Sequence, residues 1–261
     1  MSRVAEPAAD EPYDAMRRML RVDGIVRDLD LSTIPFGAIE GEALRFERCK
    51  ARATQFTGGI LSGSTWADCE LIACSFASTD FSEAKFLKCR FADREKTRGS
   101  VFRFCDLHGA RFEDCDLSLT KFEGCDGYDI AFVRSMLRGA DFARTKFSRV
   151  FGRKVIKSSV SFEECPMQFA NLEGLELSGA VLRSCDLSEA NFSGARLNDA
   201  RINGCDLFKA DFERAFLTGA DLQGSKLDGF DLGAPADFKG LMISMDQQHH
   251  LLRSLNVEVC A

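Results

Sequence analysis

Apolar residues recur in this chain at every fifth position. Every fifth residue from Phe102 to Leu232 gives 27 positions, of which nine are Phe, thirteen Leu, one Ile and one Met. Gly127, Gly152 and Lys157 are the exceptions. Two residues before each large residue lies a smaller one, Ala110, Cys115, Ala140, Ala170, Ala190 and Cys205 among them. An earlier block keeps the same period in a shifted register, through Phe46, Phe56, Leu61, Trp66, Leu71, Phe76, Phe81, Phe86 and Phe91. Only Ala51 departs from it, and Leu31 and Phe36 extend it upstream. Phe91 and Phe102 are eleven residues apart rather than ten, so residues 92–101 are read as holding one extra residue, a bulge or short loop.

A period of five fits neither an α-helix nor a flat strand, whose periods are about 3.6 and 2.0. The chain must turn inward at regular steps. Cys105, Cys125, Cys165, Cys185 and Cys205 are separated by multiples of twenty, with Thr145 and Ser225 in the same phase; Cys49, Cys69 and Cys89 repeat the spacing. Leu117, Leu137, Leu177, Leu197 and Leu217 share another phase. Twenty residues, four pentapeptides, are therefore read as one coil with four faces. No coil buries its inward residues alone; stacked coils bury a continuous column. Three residues in five face solvent, which accommodates 28% charged residues with a full core. The fold expected is an all-β solenoid of about ten coils, a rod of roughly 45–50 Å at the spacing between strands. The cysteines are small core residues in a ladder.

The units ADFAR, ANLEG, ANFSG, ADFER and ADLQG resemble those of the pentapeptide-repeat family, over residues 31–233. The resemblance implies a right-handed quadrilateral β-helix. Residues 1–30 are assigned to an N-terminal segment with a cap helix near Tyr13–Leu20, where Met16, Met19 and Leu20 share a face. Residues 234–261 follow the last repeat at Pro235. Ser244 and Gln247 form a capping-box pair at the start of a helix running to Leu255, and Asn256–Val259 reads as a strand. Leu251, Leu252, Leu255 and Val257 are the candidate cap or homodimer contacts, since several family members dimerise through this segment.

Composition narrows the chemistry. Eleven Cys are an odd number and include no C-x-x-C pair, and the only histidines are His108, His249 and His250. Adjacent histidines on a helix cannot form an i, i+4 metal pair. No nucleophile elbow, phosphate loop or dinucleotide fingerprint is present. No catalytic residue, metal or cofactor is expected. The start of the chain lacks the apolar stretch of a signal peptide, and no apolar run is long enough to span a membrane, so the expected compartment is the cytoplasm.

Function must then lie on the outward faces. Asp106, Asp126, Asp186 and Asp206 share one phase in the unbroken twenty-residue count and are expected to stack on one acidic face, interrupted by Lys146, Pro166 and Lys226. Residues 159–233 hold thirteen acidic and six basic residues, net −7, against −6 for the whole chain. A basic band stands out beside them. It runs from Arg134 through Arg138, Arg144, Lys146, Arg149, Arg153 and Lys154 to Lys157, with Asp141 as its one acid. The period fails there at Gly152 and Lys157, so residues 148–160 are read as an irregular coil or a partial loop. An acidic rod resembles family members that mimic duplex DNA, bind DNA gyrase or topoisomerase IV and protect against quinolones. The alternatives are a docking scaffold for an unrelated protein partner and an anionic-surface binder working through Arg144, Arg149, Arg153, Lys154 and Lys157.

Overall fold

The computed structural model describes residues 12–22, 24–35, 37, 39, 41, 43–93, 95, 98–151, 155–255 and 257. The repeats wind into a four-sided parallel β-solenoid. The first face is a nine-stranded sheet whose strands are centred on Val26, Phe46, Trp66, Phe86, Phe112, Phe132, Phe162, Leu182 and Ile202. The second face carries Leu71, Leu117, Leu137, Met167, Leu187 and Leu207 inward. The third carries Phe56, Phe76, Phe102, Phe122, Phe142 and Phe192, and the fourth Leu61, Phe81, Leu107, Phe147, Leu177 and Leu197. The first strand, Ile25–Arg27, starts the coils earlier than the boundary read at Leu31. Bridges Phe216 to Asp237 and Asp221 to Met242 carry the ladder past Pro235.

The core explains the phenylalanine excess. On the first face Phe46 stacks on Trp66 at 3.9 Å, Phe86 on Phe112 at 4.6 Å and Phe132 on Phe162 at 5.1 Å. On the third face Phe76, Phe102, Phe122 and Phe142 stack at 4.8–5.2 Å. The two columns meet edge to face, as in Phe122 with Phe132 at 5.9 Å and 76°. Offset stacking within a column and T-shaped contact between columns are the two favoured aromatic geometries.

Most corners are built the same way. The residue two after the inward one adopts a left-handed backbone, whether glycine or not: Asp28, Arg48, Asp114 and Arg134 have φ of 46–55°, and Asp93 and Arg149, where the chain leaves the coils, do not follow. The turn demands this conformation, so the fold imposes it on residues that ordinarily avoid it.

Two segments leave the coils. Phe86 pairs with Phe112, twenty-six residues on instead of twenty, so six residues leave the winding between Ala92 and Gly99. This corrects the single extra residue read from the sequence. Asp93 and Arg98 close the excursion with mutual backbone hydrogen bonds of 2.7 and 3.2 Å. Ser100 brings the chain back, donating to Leu71 O or Phe91 O at 2.7 and 2.8 Å. A Cβ on Gly99 would lie 2.3 Å from the Leu119 backbone, so only glycine fits there.

The second excursion is larger. Phe132 pairs with Phe162, thirty residues on, so ten residues leave the winding. Together with Ser158, where the chain re-enters, they form an antiparallel hairpin of strands Ser148–Phe151 and Val155–Ser158. Of the two readings of residues 148–160, an irregular coil or a partial loop, the pairing agrees with the segment leaving the coil. It also regroups the cysteines. Cys165 donates to Phe132 O at 3.5 Å, and Cys115 N–H donates to Ser135 Oγ at 3.0 Å. Cys165, Cys185 and Cys205 therefore continue the column of Cys49, Cys69, Cys89, Cys115 and Ser135. Cys105, Cys125 and Thr145 form a separate column. The ten cysteines described are buried and free, and burial pushes the Cys74 thiol up to about 11.

The ends are closed by helices. The N-terminal helix Pro12–Val22 buries Met16 and rests Met19 and Leu20 on the core. At the other end a 3₁₀ turn, Met245–Gln247, leads into the helix Gln248–Ser254. Gln247 is buried; its Oε1 accepts from Ser244 N–H at 2.6 Å and its Nε2 donates to Leu222 O and Ser225 O at 2.8 and 2.5 Å. The capping box read from the sequence thus also satisfies carbonyl groups that the last coil leaves open.

Candidate functional site: two charged surfaces

The four aspartates expected on one face lie on two. Asp106 and Asp126 bridge each other on the fourth face, and Asp186 and Asp206 bridge each other on the second. The ten-residue hairpin accounts for the correction, because it shifts all later residues by half a coil. Each aspartate accepts the backbone N–H two residues on, at 2.9 Å for His108, and 3.1 Å for Tyr128, Ser188 and Phe208. These are Asx turns that brace the corners. Burial would raise the pKa of Asp186, but hydrogen bonds from the Ser188 hydroxyl and N–H and from Gln168 hold it below the usual carboxylate range.

Charge is balanced below the hairpin and unbalanced above it. In the early coils acids and bases alternate from level to level. Arg48 pairs with Asp28 at 2.7 Å, Arg103 with Glu123 at 2.7 Å, and Arg134 with Asp114 at 2.9 Å and Glu113 at 2.5 Å. Hydrogen bonds from Arg48 and Arg134 hold Asp28 and Asp114 below their ordinary pKa. Above the hairpin, ion pairs such as Lys226–Asp206 at 3.0 Å and Arg214–Glu213 at 3.3 Å neutralise only part of the acid. Glu164, Glu173, Glu189, Asp199, Asp211 and Asp221 have no basic partner among the described residues. They are spread around the coil, so the acid forms a belt rather than a stripe.

The basic band divides as well. Arg134 is occupied by its two carboxylates. Arg149, on the first hairpin strand, folds back on the fourth face. Its Nη2 lies 3.2 Å from Asp126 Oδ2 and its guanidinium sits 4.8 Å from the centre of the Tyr128 ring, which stacks on His108 at 6.0 Å. A residue expected in the acidic face and one expected in the basic band are thus partners. Arg144 occupies a left-handed corner at φ 66°. Lys157 pairs with Arg149 through the hairpin backbone, while Arg153 and Lys154 lie outside the described residues.

Of the four cap candidates, Leu251 is buried in the C-terminal cap and Leu252 is half-buried. Leu255 and Val257 are exposed at 47% and 46%, beside Met245 at 92%. The strand read at Asn256–Val259 lies largely outside the described residues. Exposed Phe104, Leu119 and Phe169 escaped the sequence reading. The signal was present: sixteen of the 23 Phe fall on the inward position, and Phe104 and Phe169 are among those that do not. Among the described residues no group of three or more His, Cys, Asp or Glu is placed to hold a metal, and no helix is long and apolar enough to cross a membrane.

A four-sided β-solenoid of five-residue units, capped by helices and interrupted by two excursions, defines a repeat scaffold. The sequence matches "Pentapeptide repeat region" over residues 64–142 and "Pentapeptide repeats (8 copies)" over 165–204 and 195–233, and the chain belongs to the pentapeptide-repeat family. A trypsin-treated variant of QnrB1, a plasmid-mediated fluoroquinolone resistance protein, superposes with a TM-score of 0.66 at 24% identity, over 90% of this chain and 100% of its own. A second trypsin-treated QnrB1 variant gives 0.54 at 27% identity, over 77% of this chain and 93% of its own. Full-length QnrB1 gives 0.52 at 25% identity, over 89% and 99%. No curated protein matches the chain in sequence.

Proposed function

We propose that this protein is a non-enzymatic protein-binding β-solenoid that mimics duplex DNA and binds a type II topoisomerase, DNA gyrase or topoisomerase IV, modulating or protecting it in the cytoplasm. The observation that carries the reading is the acid surplus above the hairpin, net −7 over residues 159–233. Those coils span roughly 18 Å at the strand spacing. A duplex of that length carries about ten charges. Asp186 and Asp206 belong to this surplus; Asp106 and Asp126 are further candidate contacts below the hairpin on the opposite side, Asp126 being paired with Arg149. The likeness to QnrB1 supports the same reading. We include a homodimer through the exposed Leu255 and Val257 of the cap, which light scattering tests. The basic hairpin supports a second reading, docking on an unrelated acidic partner or an anionic surface through Arg144, Arg149, Arg153, Lys154 and Lys157.

Supercoiling by purified gyrase, with and without a quinolone, tests the first reading. Inhibition or protection is expected at micromolar or lower concentration. Glu173→Lys with Glu189→Lys reverses two charges that have no basic partner among the described residues and is expected to weaken the effect at least about tenfold. No effect on either topoisomerase removes the mimic and leaves the docking scaffold.

A further inference from the structure

A groove of about 830 Å³ runs along the second face, beside Ala92 and Asp93. Asp93 forms one wall. Met136, Gly139 and Pro166 lie along the floor, and Leu119 and Phe169 stand at the corner. The wall is held in place: Arg52 Nη1 donates to Asp93 Oδ2 at 3.0 Å, and Asp93 is bridged to Arg98 through the backbone. The groove is therefore formed before anything enters it.

The corner is unusual for this fold. Among the described residues twenty-two other than glycine hold the left-handed conformation, and of these only Phe104, Leu119 and Phe169 have large apolar side chains. Leu119 and Phe169 remain 40% and 50% exposed. Gly139 lies between them and lets the Leu119 side chain pack over its backbone: a Cβ there would meet Leu119 Cδ2 at 2.9 Å. The Arg138 guanidinium lies 5.6 Å from the Phe169 ring centre and has no carboxylate partner among the described residues. Asp93 is already paired with Arg52, so of the two charged residues lining the groove Arg138 is the one without an opposite charge among the described residues.

We propose that this groove docks an acidic segment of a partner protein. A Leu- or Phe-sized side chain enters the groove against Leu119 and Phe169, and a neighbouring carboxylate pairs with Arg138. Apolar Leu119, Met136, Pro166 and Phe169 beside an unpaired Arg138 favour this occupant over a basic or purely polar one. The inference rests on the protein-binding reading but not on the identity of the topoisomerase.

The test uses the full chain and three fluorescein-labelled decapeptides in an anisotropy titration. One alternates Glu with Leu and Phe, one replaces Glu by Lys, and one replaces Leu and Phe by Ser. The first is expected to bind at least about tenfold more tightly than the others. Arg138→Glu and Phe169→Ser are each expected to weaken it about tenfold, while Phe104→Ser, at a different corner, leaves it unchanged. Matching melting curves establish that the variants are folded. Equal binding of the Lys peptide, no binding of any peptide, or an equal loss in Phe104→Ser overturns the proposal. Gyrase supercoiling run in parallel separates the two readings: a gyrase effect without peptide binding removes the groove alone.

Discussion

Deleting residues 148–157 removes the hairpin and leaves the winding intact. Phe147 O already accepts the Ser159 N–H at 3.0 Å and the Ser158 hydroxyl at 3.2 Å, so the chain re-enters the coil where it left. Ser148 and Ser158 are paired across the neck. The deletion joins Phe147 to Ser158, whose hydroxyl already reaches the Phe147 carbonyl, so the neck has only to tighten to the roughly 3.8 Å between consecutive Cα atoms. The deletion loses the Arg149–Asp126 ion pair, whose side chains are 40% and 41% exposed. Such a pair contributes about 0–1 kcal/mol. The contact of Arg149 with Tyr128 adds about 0.5–1 kcal/mol. Removing a ten-residue closure returns about 2 kcal/mol by the logarithmic law. The net change is expected to lie within about 2 kcal/mol of zero. Deleting residues 178–187 is equally long and equally in frame, but takes the buried Ala180, Leu182, Cys185 and Leu187 from the core. At about 1.5–3 kcal/mol for each large side chain, with strand hydrogen bonds lost as well, it is expected to cost about 5 kcal/mol or more. Urea unfolding followed by far-ultraviolet circular dichroism measures both. Equal destabilisation by the two deletions, or a loss above about 4 kcal/mol for the hairpin, would refute the placement of these ten residues outside the coil.

Two further outcomes follow from the core and the ion pairs. Phe132 contacts the rings of Phe112, Phe122, Phe142 and Phe162 at 5.1–5.9 Å, so Phe132→Ala is expected near the upper end of the 3–5 kcal/mol range for such truncations. It should exceed Leu182→Ala by about 1–2 kcal/mol in urea unfolding, and equal costs would contradict the aromatic columns. Hydrogen bonds from arginines depress Asp28, Glu113 and Asp114 in the folded state. Their stabilisation is complete above the ordinary carboxylate pKa and is lost as pH falls through the lower folded values. The melting temperature is expected to stay level from about pH 7 to 5 and to drop between about pH 4 and 2; a level curve down to pH 2 would contradict the level-to-level pairing.

The period of five was legible because every turn inward needs an apolar residue, and the recurrence at twenty was legible because like residues stack on like. What the period conceals is any insertion that is itself a multiple of five. The hairpin adds ten residues, so Phe142, Phe147 and Phe162 remain on one five-residue count although the chain leaves the coil between the last two. The earlier excursion adds six, and only its remainder of one reached the sequence register. Gly152 and Lys157 at inward positions were the visible sign of the hairpin. The corrected cysteine columns needed the pairing of Phe132 with Phe162, which no count modulo five contains.

The surface was legible to the same depth. A net charge over a segment does not depend on which face each residue takes, so the acid surplus above the hairpin was readable from the sequence. Its distribution depends on face assignment, and a half-coil shift sends Asp106 and Asp186 to opposite sides. The shift changes what a mimic of duplex DNA can look like. A single acidic stripe would offer a partner one line of charge, whereas a duplex presents phosphates on two strands that wind around its axis. Acids at the Glu164 and Asp199 corners and at Asp211 on the third face surround the rod in the same sense. The hairpin that obscured the pattern in the sequence is therefore also what divides a charge-balanced lower rod from an acidic upper one. Moving its ten residues elsewhere would leave the net charge unchanged and rearrange the field, so the position of the insertion, more than the composition of any coil, sets the electrostatic shape of the molecule.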